Sequence, residues 1–180
     1  VNTNGKTALF KFDLSSINST TTINSATFSL TVGANASLTA LNNPFPATLY
    51  RLNKSWTEAG VTGIKYDGVS NWDAPIARGL GTDYISAGTN PQLTSILTGT
   101  LSAGTVVTTS VTDIVQNWIT TPANNYGMML MPFTRTIGNV DLVFLSRESS
   151  SGKPTLTVSY PSTPGVTYSS AAIPTNRKPF

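Results

Sequence analysis

The chain has 180 residues, eleven Lys and Arg against eight Asp and Glu, a net charge of +3, and neither His nor Cys. That length fits one domain able to bury a sizeable core without a metal or disulfide, and the missing imidazoles and thiols exclude Ser-His-Asp and Cys-His nucleophile systems and most zinc sites. Charged residues are only 11% of the chain, and Arg177 and Lys178 fall in its last four positions. The body therefore carries no clustered Lys and Arg of the kind nucleic acid requires.

No apolar run approaches the roughly 20 residues that span a bilayer, so no membrane insertion is expected. The opening VNTNGKT lacks the basic and apolar regions of a signal peptide. A chain starting at Val1 is expected to be processed or part of a longer polypeptide.

Ala8 to Asp13, ALFKFD, alternates Leu9 and Lys11 against Phe10 and Phe12 and predicts a strand. A polar connection, LSSINSTTT, follows, with Asp13 placed to tie down the next turn. Ile23 to Val32 predicts a second strand, with Ala26, Phe28, Leu30 and Val32 on one face and Thr27, Ser29 and Thr31 on the other. Alternation of this kind belongs to an antiparallel sheet with one wet face. Beyond Pro44 and Pro46, Ala47 to Leu52 predicts a third strand.

Residues 53–92 are rich in Gly and Pro yet carry Trp56, Tyr66, Trp72 and Tyr84. A loop this long in a compact domain is functional or ordered by local packing. Thr105 to Thr109 predicts a strand. It leads into an amphipathic helix in which Val111, Ile114, Val115, Trp118 and Ile119 share one face and Thr112, Asp113, Gln116 and Asn117 face water. Ser110 and Asp113 have the spacing of a capping box, with Asp113 suited to the positive end of the helix dipole. Pro122 ends the helix, and the turn at Asn124, Asn125 and Gly127 precedes an apolar strand at Met128 to Met131. Further strands are expected at Val140 to Ser146 and Thr155 to Tyr160. Residues 1–160 thus make one domain, and 161–180, with four prolines, a tail.

The ordered motifs ALFKFDLSSI, INSATFSL, LYRLNKSWTEAGVT, the segment from Ser110 to Leu130, and SRESSSGKPTLTVSY resemble the DNRLRE domain family. That resemblance covers about Leu9 to Tyr160 and implies a carbohydrate-binding-module-like fold. The expected class is all-β: an antiparallel β-sandwich, jelly-roll-like, with one short amphipathic helix. Members are typically non-catalytic modules of secreted or cell-surface proteins, and similar domains occur in phage structural proteins. The loop YDGVSNWDAPIARGLGTDY resembles the longer viral version.

Two departures stand out. Family members usually have another strand before the equivalent of ALFKFDLSS, and the Pro-rich tail lies outside the family pattern. Together they suggest strand donation between subunits, VTYSSAAI adding to a neighbour's sheet edge.

The eight acids are scattered singly, so the paired carboxylates of a glycosidase are not indicated. Glu58 beside Trp56 and Glu148 beside Arg147 read as structural partners. Trp72, Tyr66 and Tyr84 are candidates for an aromatic platform under sugar rings, and Lys65, Arg78 and Lys54 for pairing with acidic sugars. The competing reading packs the aromatics against the sandwich and leaves the cations as solvated charge. Trp56 and Trp118 are expected in the core. Asp67, Asn71, Asp73 and Asp83 offer calcium-type oxygen ligands in no EF-hand spacing, and ordinary Asx turns are the favoured account of them. No other cofactor is expected. The sequons at Asn18, Asn35 and Asn53 are expected by chance in so Ser/Thr-rich a chain.

The function indicated is a non-enzymatic surface module that binds glycans or serves adhesion in an extracellular, cell-surface or virion assembly. The alternative is a structural subunit, a virion decoration protein or filament protomer, assembling through its termini. Partners are accordingly a glycan or neighbouring subunits, and an oligomer or larger assembly is expected.

Overall fold

The clean alternation between Ser25 and Thr31 becomes the central strand of one of two antiparallel sheets. In this computed structural model, which describes residues 7–34, 47–85, 102–132 and 143–161, the strands are β1 (Ala8–Phe10), β2 (Ser25–Thr31), β3 (Ala47–Leu52), β4 (Tyr84–Ile85), β5 (Val106–Ser110), β6 (Met128–Pro132) and β7 (Thr155–Ser159). The α-helix α1 (Thr112–Thr120) follows β5. β1, β6, β3 and β4 form one sheet in that order, and β5, β2 and β7 form the other. Every pairing between these strands is antiparallel. The fold is all-β and sandwich-like, with a single α-helix among the described residues; the described strand order does not by itself establish the jelly-roll connectivity expected from sequence.

Between the sheets lies the larger core. Ala26, Phe28, Leu30 and Val32 enter it from β2 and the residue after it, with Phe10, Leu49, Met128 and Leu130 opposite. Phe28 meets the edges of Phe10 and Phe12 at centroid distances of 4.9 and 6.0 Å, the offset geometry that aromatic quadrupoles favour. The outer face of the β5–β2–β7 sheet is hydroxyl-bearing. Thr27 pairs with Ser110 and Thr157, and Ser29 with Thr108 and Thr155.

The other sheet has no wet face. Leu9, Leu52 and Met129 point away from the main core into a second cluster with Trp56, Val61, Trp72 and Ala77. Segment 53–85 therefore covers this sheet as a third layer. Burial on both sides explains why Met128 to Met131 is continuously apolar rather than alternating.

α1 closes one end of the sandwich through Ile114, Val115, Trp118 and Ile119, all buried in the main core. The expected Ser110–Asp113 capping box does not form. Val111 occupies the N-cap position without a side-chain cap, because Ser110 is still paired to Thr27 in the sheet. Asp113 does lie in the first helical turn. The expected water-facing stripe is also only partly wet. Thr112 Oγ1 accepts from Ala26 N, Gln116 clamps Thr21 O and Ile23 N, and Asn117 Oδ1 accepts from Arg51. At the other end Thr121, forced out of helical geometry by Pro122, has φ −132° and ψ 80°.

β1 is shorter than expected, leaving the sheet after Phe10, and β4 was not anticipated. Of the expected strand Val140 to Ser146, residues 140–142 lie outside the described residues. The remainder runs beside β2, with Phe144 bridging Val32 and Leu145 N donating to Thr31 O. Residues 1–6, 35–46 with the sequon at Asn35, 86–101 and the tail from 162 also lie outside the described residues.

Candidate functional site

The loop singled out from sequence is built around a buried carboxylate. Asp83 has no exposure. Its two oxygens accept backbone N–H groups from Asp73, Ala74 and Gly79 at 2.9–3.0 Å. Lys54 Nζ, 3.3 Å from Asp83 Oδ1, balances the charge and also contacts Asp73. Burial works against the Lys54 charge, but the hydrogen bonds to Asp73 and Asp83 outweigh it and raise its pKa. The same ammonium lies 5.1 Å from the Tyr66 ring centroid, within cation–π range.

The aromatic candidates pack on this knot. Trp72 is only 5% exposed, meets Tyr66 edge-on at 5.6 Å and donates Nε1–H to Thr62 O at 3.1 Å. Tyr84 lies against Tyr50 at 4.8 Å, and burial, followed by the neighbouring Tyr50, raises its pKa. Trp56 donates Nε1–H to Tyr126 O at 2.8 Å. Trp72, Tyr66 and Tyr84 are thus brought together around the second core, with Trp72 facing protein rather than solvent. Lys65 Nζ donates to Val69 O. Arg78 is half-buried, and its Nε has no partner. The chain beside it is strained: Ile76 and Ala77 have φ of 58° and 59°, a region bulky residues avoid. Burial of Ala77 and the bond from Ile76 N to Gly63 O hold them there.

The four oxygen-bearing candidates for calcium do not share one point. Asp67 Oδ1 accepts from Val69 N and Ser70 N, and these bonds, Ser70 first, lower its pKa. Asp73 and Asp83 are neighbours, but both face Lys54; Asn71 is exposed and bridges to Lys65 through its backbone. Among the described residues no group of three His, Cys, Asp or Glu side chains is arranged to hold a metal ion.

A different place has the shape of a binding site. Where Lys11–Ser19 leaves β1 and passes the C-terminal half of α1, a cleft of about 700 Å³ opens, within the usual range for small-molecule sites. Its apolar lining comes from Phe12, Leu14, Ile17, Trp118, Ile119 and Pro122, and its polar lining from Lys11, Asp13, Ser15, Asn18, Ser19 and Asn125. Local turns fix one wall. Asp13 Oδ1 accepts from Ser15 N at 2.9 Å, and Asn18 Oδ1 from both the N–H and hydroxyl of Thr20. The Ser15 bonds lower the Asp13 pKa. Asn125 Nδ2 reaches across the chain to Phe12 O at 2.9 Å and ties the two walls together.

Sequence reasoning passed over this cleft because its walls are far apart in the chain, and each reads locally as a polar connection or a helix end. The one available signal was the Asn-rich turn following Trp118. Among the described residues no helix is long and apolar enough to cross a membrane. In comparisons with known proteins, no family model matches the chain and no curated protein matches it.

Proposed function

We propose that this chain is a non-catalytic surface module of the DNRLRE type that binds glycan within a larger extracellular or virion assembly. The observation that carries the reading is the cleft between Lys11–Ser19 and the end of α1. It combines an apolar lining with neutral hydroxyl and amide groups, the mixture that a sugar ring's apolar face and polar edge require. Asp13 is its one carboxylate, whereas glycoside hydrolysis ordinarily uses two. Of the other described acids, Asp73 and Asp83 are engaged with Lys54, Glu58 and Glu148 with Arg147, and Asp67 in its own turn, while Asp113 lies in the first turn of α1 and does not line the cleft. A glycan array on the purified chain, followed by titration calorimetry of the hits, tests the reading. Binding without turnover supports it, and a blank array together with assembly into regular particles sinks it.

One observation favours a structural subunit as the second reading. β1 is the outer strand of its sheet, yet Leu9 and Phe10 are fully buried. Such an edge is firmly held, and among the described residues no strand pairs with its outer side. An added strand from a neighbouring chain would find a preformed template there. Light scattering of the full chain and of a version ending at Pro161 separates the two. A mass that falls on truncation supports assembly, and an unchanged monomer removes it.

A further inference from the structure

Three Asn-x-Ser/Thr triplets occur in the chain, at Asn18, Asn35 and Asn53. That at Asn35 lies outside the described residues, and the structure separates the other two. Asn18, Ser19 and Thr20 are all exposed, on the connection between β1 and β2. Asn53, Lys54 and Ser55 stand where β3 ends and the knot around buried Asp83 begins.

At Asn18 the two ends of the side-chain amide are used differently. Oδ1 accepts the Thr20 N–H at 2.9 Å and the Thr20 hydroxyl at 2.8 Å. A backbone N–H bonds only the oxygen end of an amide, so this fixes Nδ2 as the other end. Nδ2 makes no hydrogen bond to any described residue, and the residue is open to solvent. The turn needs no partner from elsewhere in the chain, since Ile17 N donates to Leu14 O and Thr21 N to Asn18 O, both at 2.9 Å.

Asn53 is the reverse case. Its Nδ2 donates to Gly81 O at 3.1 Å, 28 positions away in the chain. Its backbone N–H is held by Asp83 O, and Lys54 beside it is drawn to Asp73 and Asp83. The nitrogen that a sugar would have to reach is thus already occupied in the folded chain.

An asparagine accepts a glycan through its amide nitrogen, with a hydroxyl two residues on, in a surface segment of an exported chain. Given the extracellular placement proposed above, we propose that Asn18 is an N-glycosylation site whose donor is a lipid-linked oligosaccharide diphosphate. A bond forms between Nδ2 and the anomeric carbon, and the bond from that carbon to the diphosphate oxygen breaks. The lipid diphosphate leaves with the electron pair, and the amide proton passes to a base of the transferase. The product keeps the side-chain carbonyl, so both Thr20 bonds survive the modification and the fold is unchanged.

The test presents the folded full chain carrying Asn35→Gln, with a lipid-linked oligosaccharide, to a eukaryotic-type oligosaccharyltransferase, and maps the modified peptides by mass spectrometry. Asn18 is expected to carry the glycan and Asn53 to stay bare, also in Ser55→Thr, which gives both triplets the same third residue. Thr20→Ala should abolish transfer and Thr20→Ser should retain it, with circular dichroism showing both variants folded. A bare Asn18 in the folded chain overturns the proposal, whether or not the urea-unfolded chain is modified there. Asn53 modified as fully as Asn18 would show that the fold does not select between them, and also overturns it. The glycan array reports separately on the binding reading: a blank array with Asn18 modified removes that reading and leaves this site, and array hits with Asn18 bare do the opposite.

Discussion

Lys54 Nζ lies 3.3 Å from Asp83 Oδ1, and that pair, with three backbone N–H groups on the same carboxylate, gives segment 53–85 its shape. Removing one partner of a buried pair costs about 3–5 kcal/mol because the other groups are left uncompensated. Asp83→Ala is therefore expected to destabilise by that amount in urea unfolding. Lys54→Met, which leaves the three N–H bonds intact, should cost less, on the order of 1.5–3 kcal/mol. An equal loss in both variants would show that the ammonium, rather than the backbone bonds, holds the loop.

Trp72 distinguishes a packing role from a sugar platform. At 5% exposure beneath Tyr66, it should behave as core, with Trp72→Ala costing about 3–5 kcal/mol. Glycan affinity of the fraction that remains folded should be unchanged. Normal stability with lost sugar binding would reverse this assignment.

Trp118→Ala should cost a similar amount, about 3–5 kcal/mol, since its side chain is 1% exposed in the main core. Denaturant unfolding measures it. A stability indistinguishable from the parent would mean that α1 is a detachable element rather than a lid on the sandwich.

Two glycines separate conformational strain from crowding. Gly127 has φ +88°, and a Cβ there would sit 2.3 Å from Phe10 O. Gly104 has the same φ with nothing within 4 Å. Gly104→Ala should cost only the left-handed penalty, about 1–2 kcal/mol. Gly127→Ala must also push β1 away from the turn, and its midpoint of thermal unfolding should fall further. Equal shifts would show that the turn yields freely.

Arg147 donates to Glu148 at 2.8 Å and lies 3.1 Å from Glu58. The bond from Arg147 holds the Glu148 carboxyl down to about 2, against an ordinary 4.5. A depressed folded pKa means that the contribution is present above the unfolded value and lost as pH falls through the folded one. The urea midpoint should therefore decline between pH 4.5 and about 2, and part of that decline should vanish in Arg147→Ala. The effect is small because Arg147 is 39% exposed. An identical profile in the variant counts against the pair.

The sequence by itself determined the helix and most of the strands, because their signals are local; the two-residue β4 carried no such signal. Ala26, Phe28, Leu30 and Val32 alternate at the period of a strand, Ala47 to Leu52 was bounded correctly, and Ile114, Val115, Trp118 and Ile119 repeat at the period of a helix. Tertiary structure decided everything that depends on which face meets which. Trp72, flanked by polar Asn71 and Asp73, was open to two readings, a sugar platform or packing against the sandwich; the second core of Leu9, Leu52 and Met129 needed covering, and Trp72 supplies that cover. Ser110 had the spacing of a helix cap, but its strand pairing with Thr27 took it first. The cleft was illegible for the same reason. Asn125 and Phe12 are 113 positions apart, and no local pattern can announce that an amide from one will fix the carbonyl of the other.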